Sequence, residues 1–217
     1  MNRGGGASGR GFSVLRQFIE RKRRGECCEL CSAPLASEHP HLVELAHRKL
    51  VCACDACALL FSGQAQARYK RVSRRFLALD AFRITDREWD SLSIPIGMAF
   101  FFTNSRLGKI VAQYPSPAGA TESELPLEAW QQIVAANPVL DDMEEDVEAL
   151  LVNRVGYARG VSAARYYILP IDHCYRLVGI IRSHWRGFSG GGEVWERIAD
   201  FFADVRRKSA VEEAYHA

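Results

Sequence analysis

Apolar positions along this chain follow two periods, and the changes between them predict most of its elements. In residues 12–24, Phe12, Leu15, Phe18 and Ile19 recur at helical spacing and Gly25 follows as a C-terminal stop, so a short amphipathic helix is expected there. Residues 42–45 and 49–52 read as two strands, and 55–61 as the start of a helix. Beyond about residue 63, strands alternate with amphipathic helices. Strands are expected at 69–79, 98–103, 109–114, 165–170 and 175–184, the last two forming a hairpin turned near Asp172 and His173. Helices are expected at 86–92, 126–136, 143–155 and 193–208. In the last of these Val194, Trp195, Ile198, Phe201, Phe202 and Val205 form one apolar stripe, the signature of a helix packed on a core.

Composition fits a globular protein, with 48% hydrophobic and 25% charged residues among 217. The longest apolar run, 94–102, is too short to span a bilayer and contains Pro95. The glycine-rich start, 1–11, lacks the apolar stretch of a signal peptide, so a soluble, cytoplasmic protein is expected. The net charge of +2 hides an asymmetry: residues 1–75 carry 14 Lys and Arg against 6 acids, while 76–217 carry 14 against 20. Stacking aromatics do not interleave with the basic runs 21–24 and 74–75, which therefore read as solvated surface, and a nucleic-acid partner is not expected.

Chemistry concentrates in the cysteines. Six of the seven fall within residues 27–57, and four of them form Cys28-x-x-Cys31, a spacer of 22 residues, and Cys54-x-x-Cys57. Each short pair can turn two sulfurs toward one centre, and the spacer is long enough for a β-hairpin that returns the second pair to the first. Four soft, deprotonated ligands in a closed shell suit Zn2+ and would stabilise a module too small to fold on burial alone. Iron in a rubredoxin-like set is the alternative, although Ser32 and Ala58 follow the pairs where rubredoxin knuckles usually place glycine. Cys27 and Cys52 are surplus; Cys52 could replace Cys54 or lie close to the metal. His39, His41 and His47 read as surface or hairpin histidines beside a shell that thiolates already fill.

The order knuckle, hairpin, knuckle, helix resembles the treble-clef arrangement, found in the small zinc domain of the Clp protease unfoldase and in the scaffold of zinc-bound HNH nucleases. Nuclease chemistry would need metal-binding His or Asn on the helix after the second pair, and residues 54–61 offer neither. The expected organisation is α+β: a tail at 1–11, a helix plus treble-clef metal module at 12–65, a mixed α+β domain with an antiparallel sheet at 66–210, and a tail at 211–217.

Downstream of the module no catalytic residue is assigned, and nothing identifies an enzyme. Asp172, His173 and Cys174 are adjacent, but neighbours on a strand point to opposite faces, so the sequence does not make them a dyad. The glycine-rich segment 185–193 reads as a tight connection between strand and helix rather than a phosphate loop. The segment 114–123 reads as an exposed linker between strand and helix.

Five phrases carry a resemblance across most of the chain from Cys28 to Phe202: Cys28-Glu29-Leu30-Cys31; Cys52-Ala53-Cys54-Asp55-Ala56-Cys57-Ala58-Leu59-Leu60-Phe61; Ile94-Pro95-Ile96-Gly97; the segment 114–122; and the segment 170–179. Together they resemble an uncharacterised bacterial family whose genes accompany high-affinity nickel-iron uptake hydrogenases. The resemblance implies an accessory protein of hydrogenase maturation or assembly, or of electron transfer, with a hydrogenase component as protein partner. Two functional expectations lead: a zinc-bearing, partner-binding protein, or an iron electron carrier fused to a docking domain. A third, enzymatic, would use Cys174 or the loop 190–192 and requires Cys174 to be solvent-accessible beside a basic neighbour.

Overall fold

The computed structural model describes residues 26–63, 67–157, 160 and 163–215; the helix expected at 12–24 lies outside them. Two antiparallel sheets organise the described residues. The first has three strands in the order β2-β1-β3, with β1 His41–Glu44, β2 Lys49–Cys52 and β3 Tyr69–Arg71. The second has six strands in the order β4-β9-β8-β5-β6-β7: β4 Leu77–Ala78, β5 Met98–Asn104, β6 Lys109–Ser116, β7 Gly119–Ser123, β8 Glu148–Asn153 and β9 Arg165–Pro170. Helices are α1 Asp55–Ser62, α2 Asp86–Ser91, α3 Leu127–Ala136, α4 Ile171–His184 and α5 Gly192–Tyr215, with a 3-10 turn at Pro138–Asp142. No helix of the described residues is long and apolar enough to cross a membrane.

The centre of the large sheet is buried on both faces, so β5, β8 and β9 are almost continuously apolar instead of alternating. Their period of two survives in what each side chain meets. Met98, Phe100, Phe102, Ala149, Leu151, Tyr167 and Leu169 pack under α4 and α5. Ala99, Phe101, Leu150, Val152, Tyr166 and Ile168 face Trp89 of α2 and Trp130 and Ile133 of α3. Phe101 stacks on Trp130 with ring centroids 5.0 Å apart.

The periodicity reading needs two corrections, the first of them explained by burial on both faces. The expected helix at 143–155 is instead β8, paired with β5 and β9, because a strand covered on both sides loses its polar alternation and mimics a buried helix. The expected strand at 175–184, with its hairpin at Asp172 and His173, is helix α4, which follows β9 directly after Pro170. Its buried residues, Ile171, Cys174, Leu177, Val178 and Ile181, recur at three- and four-residue steps, a helical stripe that the β-branched and aromatic content obscured.

Three smaller differences follow from pairing. The expected strand at 69–79 is split: β3 joins the small sheet and β4 the edge of the large one. The expected linker at 114–123 is the end of β6 and all of β7, turned through Pro117 and Ala118 so that Ser116 faces Gly119. Trp195 leaves the apolar stripe and is 41% exposed, its indole N–H donating to the Ser189 carbonyl at 2.9 Å.

The connection between the sheets is fastened by Glu148, whose side chain is 3% exposed. Its carboxylate accepts from Arg75 at 2.6 and 3.0 Å, from the Ser73 hydroxyl at 2.7 Å and from the Glu144 amide at 2.9 Å. Burial pushes its pKa up, but the Arg75 guanidinium, the Glu144 amide and the Ser73 hydroxyl together hold it below the ordinary 4.5. A depressed carboxylate stabilises the fold above its unfolded-state pKa and loses that contribution as pH falls through the folded one. Replacing Glu148 by Gln should therefore cost about 2 kcal/mol at neutral pH. In urea titrations the gap between wild type and E148Q should narrow below pH 4.5; a gap independent of pH would contradict this account.

Gly179 and Gly97 give a second check. Gly179 is inside α4 with open space where a Cβ would go, so Gly179→Ala should stabilise the protein by about 1 kcal/mol. A Cβ on Gly97 would lie 3.0 Å from the Arg154 carbonyl carbon and oxygen, so Gly97→Ala should lower the denaturation midpoint.

Candidate metal centre

The small sheet and α1 bring the two cysteine pairs together. In the first knuckle the Cys28 amide donates to the Ala33 carbonyl and the Ser32 amide to the Cys28 carbonyl, both at 2.8 Å. The turn puts Ser32 in the left-handed region at φ 63°, the conformation for which such knuckles ordinarily use glycine. The second knuckle is the start of α1. Cys54 is its N-cap, with extended backbone, and its sulfur accepts from the Cys57 amide at 3.5 Å. The extended cap and the first helical turn thus turn Cys54 and Cys57 to one side.

Glu29 clips the knuckles to each other through β2. Its amide donates to the Cys52 carbonyl at 2.9 Å, while its carboxylate accepts from the Cys52 amide at 2.9 Å and from Lys49 at 2.7 Å. These bonds hold the Glu29 carboxyl below its usual range, Lys49 contributing most. They also fix where β2 delivers the chain to Cys54.

As a result the sulfurs of Cys28, Cys31, Cys54 and Cys57 all lie within 4.8 Å of one another, with Cys31 and Cys54 3.7 Å apart. A tetrahedral zinc with bonds of about 2.3 Å has sulfur–sulfur edges of about 3.8 Å. The four cysteines can hold one such ion with a small contraction. Cys28 and Cys57 lie in the module core with Leu42, Val51, Ala53 and Ala58, whereas Cys31 is exposed and Cys54 half-buried. The same burial acts on the two inner thiols with different outcomes. At Cys28 it pushes the pKa up, but amide donors from Cys54, Cys31 and Leu30 outweigh it and bring the thiol to about 6. At Cys57 burial and the neighbouring sulfurs push the thiol up to about 12. A cation that neutralises the gathered negative charge relieves both.

The surplus cysteines go elsewhere. Cys27 is exposed, paired through a backbone bridge with Pro34. Cys52 lies outside the four-sulfur group and clusters with His39 and His41. His47 is exposed, its Nδ1 3.3 Å from Glu44.

Asp172, His173 and Cys174 occupy the first turn of α4 and are not a nucleophilic dyad. Cys174 is fully buried among Phe100, Leu177 and their neighbours, and burial pushes its thiol well above the ordinary value. Asp172 instead accepts from two imidazoles, His173 at 2.9 Å and His41 of β1 at 2.8 Å. Burial raises its pKa, yet the two histidines more than offset this and hold the carboxyl well below the usual range. The contact between His41 and Asp172 spans 131 positions. No periodicity or spacing in the sequence signals it.

A family model described as a family of unknown function, DUF5947, matches residues 27–209, and the chain belongs to that family. No curated protein and no solved structure matches it.

Burial predicts an order of thiol reactivity. Under native conditions an alkylating reagent should label Cys27 and leave Cys174 unmodified until the protein is denatured, read out by peptide mass spectrometry. Labelling of Cys174 at the native rate of Cys27 would contradict its position in the core.

Proposed function

We propose that this DUF5947 chain binds one structural Zn2+ through Cys28, Cys31, Cys54 and Cys57, and acts as a partner-binding accessory protein. The observation that carries the metal part is the convergence of four sulfurs within 4.8 Å. Four thiolates complete a tetrahedral shell and leave no position for substrate, which favours a structural role for this ion. The module is read as a treble clef, supported by the order of knuckle, hairpin β1–β2, second knuckle and helix α1. Thiolates kept reduced for zinc favour a cytoplasmic setting.

The partner part rests on α1. Immediately after Cys57 and Ala58, which face the metal module, Leu59, Leu60 and Phe61 are 69%, 65% and 41% exposed. Three consecutive large apolar side chains in solvent, on a helix anchored by a ligand pair, suit a protein contact. The resemblance in the cysteine phrases and the segments 114–122 and 170–179 directs the choice of partner to a component of nickel-iron hydrogenase maturation or assembly.

A second reading, rubredoxin-like iron in the same four thiolates, is favoured by one feature. Ser32 adopts the left-handed turn despite its side chain, so the missing glycine does not count against an iron knuckle. Cys31, the exposed residue of the four, would then be the route for electrons.

Elemental analysis and a visible spectrum on protein purified without chelators separate the two. Zinc and no colour at the four-thiolate site is the expected result; iron with thiolate charge-transfer bands would replace the first reading by the second, and neither metal would remove both. Serine at any of the four positions should lose the ion and lower the melting temperature. Leu60→Asp should keep the ion but abolish co-purification with a hydrogenase component. If wild type captures no such component, the partner assignment fails.

A further inference from the structure

Beside the four-thiolate centre the β1–β2 hairpin assembles a second, chemically different ligand set. His41 and Cys52 are directly opposite each other across the hairpin, and His39 precedes β1 by two residues. One ligand atom from each of His39, His41 and Cys52 falls within 4.8 Å of the others, and the two imidazole centroids are 4.9 Å apart.

Hydrogen bonds select the nitrogen that each ring leaves available. Nδ1 of His39 is 2.9 Å from the Ala36 carbonyl, which can only accept, so Nδ1 is the donor and in the neutral ring the lone pair is on Nε2. That side chain is 6% exposed, and Nε2 is buried with no hydrogen-bond partner among the described residues. Glu26, 3.8 Å from Nδ1, lies beyond hydrogen-bond distance and on the other nitrogen. A buried acceptor with no donor calls for an explanation, and an ion supplies one. His41 repeats the arrangement: its Nδ1–H donates to the Asp172 carboxylate at 2.8 Å, again leaving Nε2. A carboxylate on the far nitrogen of a histidine orients the ring and raises its basicity toward a metal.

We propose that Nε2 of His39, Nε2 of His41 and the sulfur of Cys52 bind a second Zn2+, with Asp172 as the positioning residue for His41. Two imidazoles and one thiolate form a borderline-soft set suited to zinc, and three protein ligands leave the fourth tetrahedral position to water or an exchangeable ligand. The two sites thus divide their roles: the four-thiolate site is closed, and this one is open. Because Asp172 belongs to α4, its bond to His41 already ties the hairpin to the large sheet's helical layer, and an ion on Nε2 of His41 would reinforce that tie.

The test is metal stoichiometry and affinity on the full chain, titrated with Zn2+ and separately with Co2+ as a spectroscopic probe. Wild type should take one equivalent with a four-thiolate cobalt spectrum and a second with weaker charge-transfer absorption from a single thiolate. Cys52→Ser and His39→Ala should each lose only the second equivalent, leaving the four-thiolate spectrum unchanged. Asp172→Asn should retain both while weakening the second by about 10- to 100-fold. Two equivalents persisting in His39→Ala, or only the four-thiolate signal in wild type, would overturn the site. Loss of the four-thiolate spectrum in Cys52→Ser would place that sulfur in the first centre, with the same consequence. The first equivalent reports separately on the structural-zinc reading, so the two proposals can fail independently.

Discussion

Strand β1 sits in the middle of the small sheet, and its two pairings set the arrangement of everything around it. On one edge β2 pairs in a register that puts Cys52 opposite His41 and runs the chain into Cys54. On the other edge β3 pairs Leu42 with Arg71 and passes the chain on to β4. Its side chains split between two cores: Leu42 clusters with Cys28, Cys57 and Val51, while Val43 belongs to the core that holds Phe100, Leu151 and Ile171. A strand of four residues therefore serves the knuckles on one face and the large sheet with its helices on the other. Slipping its register by one residue would reverse both faces at once.

The large sheet gives that strand a rigid base. Its centre carries apolar residues on both faces, with α4 and α5 on one side and α2 and α3 on the other. The attachment combines apolar packing with a few satisfied polar groups. Glu148 ties the chain between β3 and β4 to the sheet through Arg75 and Ser73, and Asp172 ties β1 to α4 through His41. Both carboxylates are mostly buried and would be costly without their partners. Their positions fix how the hairpin that carries the candidate metal ligands sits on the sheet.

The two candidate metal sites differ in how far they could be read in advance. Cys28, Cys31, Cys54 and Cys57 announce themselves because each pair is local: one turn aims two sulfurs, and only the closure of the spacer depends on the fold. Cys52, His39 and His41 look like bystanders in the sequence. Their grouping depends on the β1–β2 register, on the Ala36 carbonyl that fixes one tautomer, and on an aspartate far along the chain.

By itself the sequence determined what short-range physics controls: the paired knuckles, the hairpin between them, helix α2, the α5 stripe, and the α+β class with an antiparallel sheet. Tertiary structure decided the rest. Residues 148–153 are a strand because β5 and β9 flank them, and residues 171–184 are a helix because their apolar stripe covers the sheet. In both segments the local preferences of strand and helix are close, and burial on a face that forms only when distant elements assemble settles the choice. The same holds for His41 and Asp172, whose bond exists only once the small sheet has docked.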